Sequence, residues 1–267
     1  MFWKAKNGVL TVSGSEMEYI RFGKGKRVLI MLPGLGDGLR SVKGLAIPVA
    51  LLYRMYARKF TVYMFSRKRE LPQGCTTRDM ARDLMLAMKA LDISEADILG
   101  VSMGGMIAQH FAADYPEMVN KLILTVTCPR TNPILEEAVG EWKACALSDD
   151  HRALMDSNMR RIYSPRYYRK NKWMVPITGR FTKPKSYDRF LVMADACLNH
   201  DAAERLSSIT ASTLVIGGEQ DWCLGGGASW ELAGGIPGAV LKMYPQWGHG
   251  LYEEAKDFNE TVLEFLC

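Results

Sequence analysis

Gly100-Val101-Ser102-Met103-Gly104-Gly105 is the stretch on which the reading of this chain turns. Asp97-Ile98-Leu99 before it reads as a strand, and Met106-Ile107-Ala108-Gln109-His110-Phe111 after it reads as a helix. A serine placed between a strand and a helix, with glycine two residues to either side, sits on a sharp turn that pushes its hydroxyl out of the fold. The small neighbours let strand and helix approach closely. A serine hydroxyl is a poor nucleophile until it is presented in this way and given a base. Ser102 is therefore the candidate nucleophile.

The chain has four histidines from which the base can come. His249 lies in Trp247-Gly248-His249-Gly250, a glycine-rich loop between the last expected strand and the last helix, where an imidazole can turn toward a pocket. His110 is fixed on the helix after the serine, and His151 and His200 fall in or beside a helical region. Asn199-His200-Asp201 reads as a helix start, with Asp201 as its N-cap. His249 is the preferred base. A third group must hold the imidazole tautomer. Leu214-Val215-Ile216-Gly217-Gly218-Glu219-Gln220-Asp221 is an apolar strand running into a polar turn, and Asp221 ends that turn, with Glu219 the near competitor. Both would stand at the carboxyl edge of a sheet, where such folds place their ligands.

An oxyanion formed at Ser102 needs donors. The backbone N–H of Met103 is one expectation. The other is the N–H of Leu35, in the loop Pro33-Gly34-Leu35-Gly36-Asp37-Gly38 that follows the apolar run Val28–Leu32. Glycine-rich loops also cradle phosphates, but no Lys-Ser/Thr pair follows this one and the chain has no GxGxxG.

With these four segments in place, the chain resembles the α/β-hydrolase superfamily over nearly its whole length. Pro33-Gly34-Leu35-Gly36 is similar to the oxyanion loop, with Pro33 where many members have histidine. Gly100 to Gly105 is similar to the nucleophile turn, Gly217 to Asp221 to the acid turn, and Gly248-His249-Gly250 to the histidine loop. The resemblance implies an α/β fold: a mostly parallel eight-stranded sheet, helices on both faces and a helical cap inserted after the sixth strand. It also implies a serine hydrolase of the carboxylesterase or lactonase kind, using Ser102, Asp221 and His249. Cleavage of a carboxylic ester of a small molecule is the first expectation. A lactonase, a perhydrolase or a carbon–carbon bond hydrolase would use the same residues, since the fold does not choose the reaction.

Reading outward supports an α/β chain independently. Strands are expected at Phe60–Phe65, Asp97–Val101, Leu122–Val126, Thr213–Gly217 and Ala239–Tyr244, beside Val28–Leu32. Helical stripes run from Thr77 through Leu91, from Met103 to Tyr115 and from Glu253 to Leu266. From Pro129 to Ser208 no strand pattern occurs and prolines punctuate helical segments. The expected organisation is a core of residues 1–128 and 209–267 with a cap, or lid, of 129–208.

Length and composition agree with one large domain: 267 residues, 48% hydrophobic and 24% charged, are enough to bury a substantial core. The net charge of +5 is too mild to argue for nucleic acid. No apolar run is long enough to span a membrane, and Met1 to Gly8 lacks a secretory leader's apolar segment. Six scattered cysteines read as reduced thiols and point to the cytoplasm. The dispersed histidines lack metal-ligand spacing, so no metal and no cofactor are expected. Nothing in the sequence speaks to oligomeric state.

Three weaker signals remain. Arg160, Arg161, Arg166, Arg169, Lys170 and Lys172, interleaved with Tyr163, Tyr167, Tyr168 and Trp173, could bind single-stranded nucleic acid or steer an acidic substrate. Solvated helix faces explain them more simply. Ser66-Arg67-Lys68-Arg69-Glu70 reads as a solvated loop near the pocket mouth; Trp142, Trp173, Trp222 and Met193 could line an apolar pocket, though each taken singly reads first as core packing, as does Cys223. A non-catalytic ligand receptor on the same fold would be marked by a broken triad, and here all three members are present.

Overall fold

The computed structural model describes residues 3–267, the side chain of Thr178 excepted. Met1 and Phe2, which open the N-terminal stretch read above, lie outside the described residues. The eight strands are β1 (Lys6–Val12), β2 (Ser15–Gly23), β3 (Arg27–Leu32), β4 (Phe60–Lys68), β5 (Ala96–Val101), β6 (Val119–Thr125), β7 (Ser212–Gly218) and β8 (Val240–Tyr244). They form one sheet in the order β1-β2-β4-β3-β5-β6-β7-β8. β3 to β8 run parallel, and the β1–β2 hairpin adds antiparallel strands at one edge.

The hairpin has no counterpart among the strands expected from the sequence. Its turn is Ser13-Gly14, both at positive φ (48° and 83°), the two-residue geometry that matches strand twist. β1 is an edge strand with only Val12 fully buried, so its hydrophobic alternation is weak.

Both faces of the parallel strands are covered, which is why they read as unbroken apolar runs. In β3, Leu29 and Met31 face one cluster while Ile30 and Leu32 face the other. Helices α1 (Ala46–Leu52) and α11 (Phe258–Leu266) close the first face through Ala50, Phe258, Val262 and Leu266. Helices α2 (Thr77–Ala90), α3 (Met103–Asp114) and α9 (Gly227–Gly235) close the second through Met80, Leu84, Met106, Phe111 and Leu232. The stripe read at Thr77 begins at a capping box: Thr76 accepts from the Asp79 N–H, and the Asp79 side chain accepts from the Thr76 N–H.

Between β6 and β7 the chain is helical: α4 (Pro133–Leu147), α5 (His151–Ile162), α6 (Pro165–Asn171), α7 (Val175–Thr182) and α8 (Asp188–Leu198). Trp142, Leu154, Phe190 and Met193 from these helices pack into the same cluster as α2 and α3. Asp201 is not the N-cap it was expected to be: the short 3-10 turn Ala203–Ser208 has Ala202 at its N-cap, and Asp201, one residue earlier, accepts the Ala203 N–H at 3.0 Å.

Three further expectations need correction. The C-terminal stretch is two helices, α10 (Leu251–Glu254) and α11, because Ala255 is extended (φ −79°, ψ 115°). That break lets α10 stay with the histidine loop while α11 lies on the sheet. Ser66, Arg67 and Lys68 are no solvated loop; they finish β4 and are buried. Trp173 and Trp222 are 65% and 58% exposed, so neither packs in the core.

Candidate active site

The carboxyl ends of β3, β5 and β7, together with the loop after β8, meet on one edge of the sheet, and all three residues expected to do chemistry lie there. Ser102 joins β5 to α3 with φ 55° and ψ −123°. A non-glycine residue in that region stores on the order of 1–3 kcal/mol, which the surroundings must hold. They do so through three backbone bonds: Ser102 N–H to Thr125 O at 2.9 Å, and Gly105 N–H and Met106 N–H to Ser102 O at 2.8 and 3.2 Å.

The flanking glycines are steric requirements. A Cβ on Gly104 would stand 2.0 Å from the Leu32 carbonyl oxygen, and one on Gly100 would stand 2.6 Å from the Gly104 oxygen. The start of α3 therefore presses directly on the end of β3.

His249 reaches this turn from the loop after β8. Its Nε2 lies 3.0 Å from Ser102 Oγ, and its Nδ1 lies 2.9 Å from Asp221 Oδ2. A carboxylate only accepts, so the Nδ1–H donates to Asp221 and leaves the Nε2 lone pair to accept the Ser102 hydroxyl. The second oxygen, Asp221 Oδ1, accepts the N–H groups of Cys223 (2.8 Å) and Leu224 (3.0 Å). Asp221 and His249 are both buried. The two loops can meet because a Cβ on Gly218 or Gly248 would clash with backbone of the other loop, at 2.4 Å from Trp247 O and 2.3 Å from Gln220 O. Glu219, the competitor for the acid role, is exposed.

The remaining histidines stand apart from this relay. His110 and His200 meet edge to face, ring centroids 5.2 Å apart, in the core. Burial drives the His110 pKa down to about 4 and that of His200 to about 3, so both are neutral near pH 7. His151 opens α5.

Leu35 opens a 3-10 turn, Leu35–Gly38, and Met103 opens α3. The first N–H groups of a helix have no intrahelical acceptor and attract negative charge. Gly34 approaches the serine closely: a Cβ there would lie 3.3 Å from Ser102 Cβ.

What fixes the Leu35 turn escaped the sequence reading. Asp37 has a side chain with no solvent exposure, and its carboxylate accepts Ser66 Oγ–H (2.6 Å), Arg67 N–H (2.9 Å) and the Arg189 guanidinium (2.5 Å). Arg189, on α8, also donates to the backbone oxygens of Asp37, Arg67 and Lys68. The Arg67 guanidinium donates to Pro33 O. Burial pulls the Arg67 pKa down to about 10, against the attraction of Asp37. The basic run at the end of β4 is thus the framework of the loop.

A cavity of about 380 Å³ opens over Ser102 and His249. Apolar side chains dominate its wall, among them Val49, Leu52, Met64, Trp142 and Ile162; beside Ser102 and His249, polar groups come from Asp37, Asn158, Glu253 and three tyrosines. Helices α4 and α5 supply part of its wall through Trp142, Asn158 and Ile162, and the end of α5 is tied to the histidine loop and α10. Gly250 N–H donates to Ile162 O at 2.7 Å, Tyr163 Oη–H to Glu253 Oε2 at 2.8 Å, and Ser164 to Glu254 through both its N–H (2.8 Å) and its hydroxyl (2.6 Å). Burial raises the Glu253 pKa, and the bond from Tyr163 opposes that rise.

Asp221, Cys223 and His249 bring three potential ligand atoms within 4.8 Å of one another. Their chemistry does not fit a cation. Burial raises the Cys223 thiol well above its usual range, and the facing atoms of Asp221 and His249 are committed to each other. Of the basic residues on α5, Arg160 pairs with Glu141, and Arg161 with Glu137 and Glu141.

Residues 27–256 match the alpha/beta hydrolase fold family, and the chain belongs to it. It is 27% identical over 261 residues to a 2-hydroxy-6-oxononadienedioate/2-hydroxy-6-oxononatrienedioate hydrolase of a Pseudomonas species, covering 92% of this chain and 89% of that protein. Two solved structures share the fold. An α/β hydrolase from a Medee basin deep-sea metagenome superposes with a TM-score of 0.85 at 23% identity, covering 97% of each chain. The enol-lactonase of Burkholderia xenovorans LB400 superposes with a TM-score of 0.81 at 22% identity, covering 97% of this chain and 99% of that one. No helix among the described residues is long and apolar enough to cross a membrane.

Proposed function

We propose that this protein is a serine hydrolase that cleaves the carboxylic ester, or a related acyl bond, of a small molecule. The observation that carries the reading is the unbroken Asp221–His249–Ser102 relay on the floor of a largely apolar cavity. Ser102 Oγ attacks the carbonyl carbon and passes its proton to His249 Nε2. Asp221 holds the ring and stabilises the imidazolium. The N–H groups of Leu35 and Met103 receive the oxyanion. As the tetrahedral intermediate collapses, the Nε2–H protonates the leaving oxygen and an alcohol departs. Water then attacks the acyl-serine, giving its proton to His249, and Ser102 leaves with a proton returned from Nε2. No cofactor or metal enters these steps. Residues 129–208 act as a cap over the cavity and the remaining chain as the catalytic core, in the cytoplasm.

A second reading, carbon–carbon hydrolysis, is favoured by the name of the Pseudomonas relative. The same residues serve it, with a carbon leaving group taking the proton. A lactone would enter by the same acyl-serine.

The test is labelling by a fluorophosphonate probe together with turnover of p-nitrophenyl butyrate by native protein and Ser102→Ala. Labelling and turnover that both vanish in the variant are expected, with a rate loss on the order of 10⁶. Labelling with no ester turnover, but cleavage of a 2-hydroxy-6-oxo-dienoate, selects the second reading. Native protein that resists the probe is a receptor on this fold, and the proposal fails.

A further inference from the structure

A second cavity, of about 200 Å³, adjoins the one above Ser102. Leu35, Gly36, Trp142 and Asn158 line both, so the two share a wall at the expected oxyanion loop. The side chamber has a one-sided polarity. Its lining contains no carboxylate, while Arg40 brings a guanidinium for which no described residue supplies an ion-pair partner. Trp142 is buried, and its indole N–H, a donor only, has no acceptor. His151 is buried as well. Its Nε2 meets Thr182 Oγ1 at 3.1 Å, and its Nδ1 has no partner. Buried polar atoms left unpaired are rare, because each forfeits its hydration. The Trp142 indole N–H can only donate, and the His151 Nδ1 donates as well in the tautomer whose Nε2 accepts from Thr182; beside an unpaired cation and the Asn158 amide, they mark a place built to receive an acceptor.

We propose that this chamber is the subsite for a carboxylate-bearing arm of the substrate, with Arg40 as the residue that determines specificity for the negative charge. The carbonyl lies over Ser102 and the arm passes Asn158 and Trp142 into the chamber. A carboxylate supplies what the lining lacks: several acceptor lone pairs and a charge opposite to the guanidinium. The preferred substrates are then half-esters or keto acids rather than neutral esters. This assignment rests on the reading of Ser102 as the reacting residue, so its test does not require turnover.

Isothermal titration of Ser102→Ala protein with monomethyl glutarate, and with the same molecule bearing a carboxamide in place of the acid, isolates the charge at constant shape. The acid is expected to bind at least tenfold more tightly than the amide. In Ser102→Ala/Arg40→Met that ratio falls to near one, and Arg40→Lys retains part of it. Added salt shrinks the preference, as befits a partly exposed cation. In otherwise native protein, the ratio of kcat/KM for p-nitrophenyl hemiglutarate to that for p-nitrophenyl valerate drops tenfold or more in Arg40→Met. Equal binding of acid and amide, or a preference that survives Arg40→Met, overturns the proposal. An acid preference that depends on Arg40 in a protein that turns over no ester leaves the subsite standing and removes the hydrolase reading instead.

Discussion

Arg189→Met tests whether α8 and the Leu35–Gly38 turn, the proposed cap and oxyanion loop, are one mechanical unit. In the native fold the Arg189 side chain is 15% exposed and its Asp37 partner is wholly buried, which places the pair outside the regime of solvated surface bridges. Removing one member of a buried pair typically costs about 3–5 kcal/mol, because the other charge stays behind without compensation. Asp37 would keep the Ser66 hydroxyl and the Arg67 N–H, with the Arg67 guanidinium close by. The lower end, about 3 kcal/mol, is therefore expected. At an m-value near 3 kcal/mol/M, the urea midpoint falls by roughly 1 M.

Asp37 belongs to the same turn as Leu35, so a turn released from α8 also misplaces the Leu35 N–H. With the Leu35 N–H as the proposed oxyanion donor, its displacement is expected to lower kcat by about 10²-fold or more, with a smaller effect on KM. Arg189→Met/Asp37→Leu, which deletes both charges, should recover part of the stability but none of the rate. The assays are urea unfolding by intrinsic fluorescence and ester turnover on the same samples. A stability loss under about 1 kcal/mol with kcat intact would mean the pair behaves as an ordinary surface contact, and the coupling would be refuted.

Asp221→Asn keeps the acceptor for the Cys223 and Leu224 N–H groups but no longer dictates the imidazole tautomer, so the protein should fold normally and lose about 10⁴-fold in kcat. Near-native turnover would transfer the acid's role elsewhere. Acidification should destabilise the fold through His110 and His200. Their folded pKa values, about 4 and about 3, lie below the ordinary value of 6.5, so the unfolded chain takes up protons first. Stability is unaffected by them above pH 6.5 and falls as pH drops below it, by up to about 1.4 kcal/mol per pH unit for each ring. Urea titrations between pH 7 and 4.5 measure this slope, and His110→Gln should lower it; an unchanged slope contradicts the assignment. Ellman's reagent should modify Cys267 first, since it is exposed while burial raises the Cys75 and Cys197 thiols to about 11 and about 12. Retention of the fast phase in Cys267→Ser would show that a buried thiol opens to solvent.

The parts of this molecule legible in the sequence are those whose physics is local. Gly100 and Gly104 announce a turn that no Cβ can enter, and the apolar runs of β3 and β7 announce strands buried on both faces. Ser102, Asp221 and His249 could be picked out as candidates because each stands at the end of such an element. The β1–β2 hairpin was not, because an edge strand buries little and leaves a faint alternation. Tertiary structure alone decided the distances: Ser102 and His249 are 147 positions apart in the chain and 3.0 Å apart in space. It alone turned Arg67, one of a run of charges, into the buried support of Pro33, and brought Arg189 to Asp37 across 152 positions. A local pattern records what a residue must be to fit its own strand or turn. Whether a charge is solvated, paired or free to meet a substrate is settled by neighbours from elsewhere in the chain, and only the packed fold supplies them.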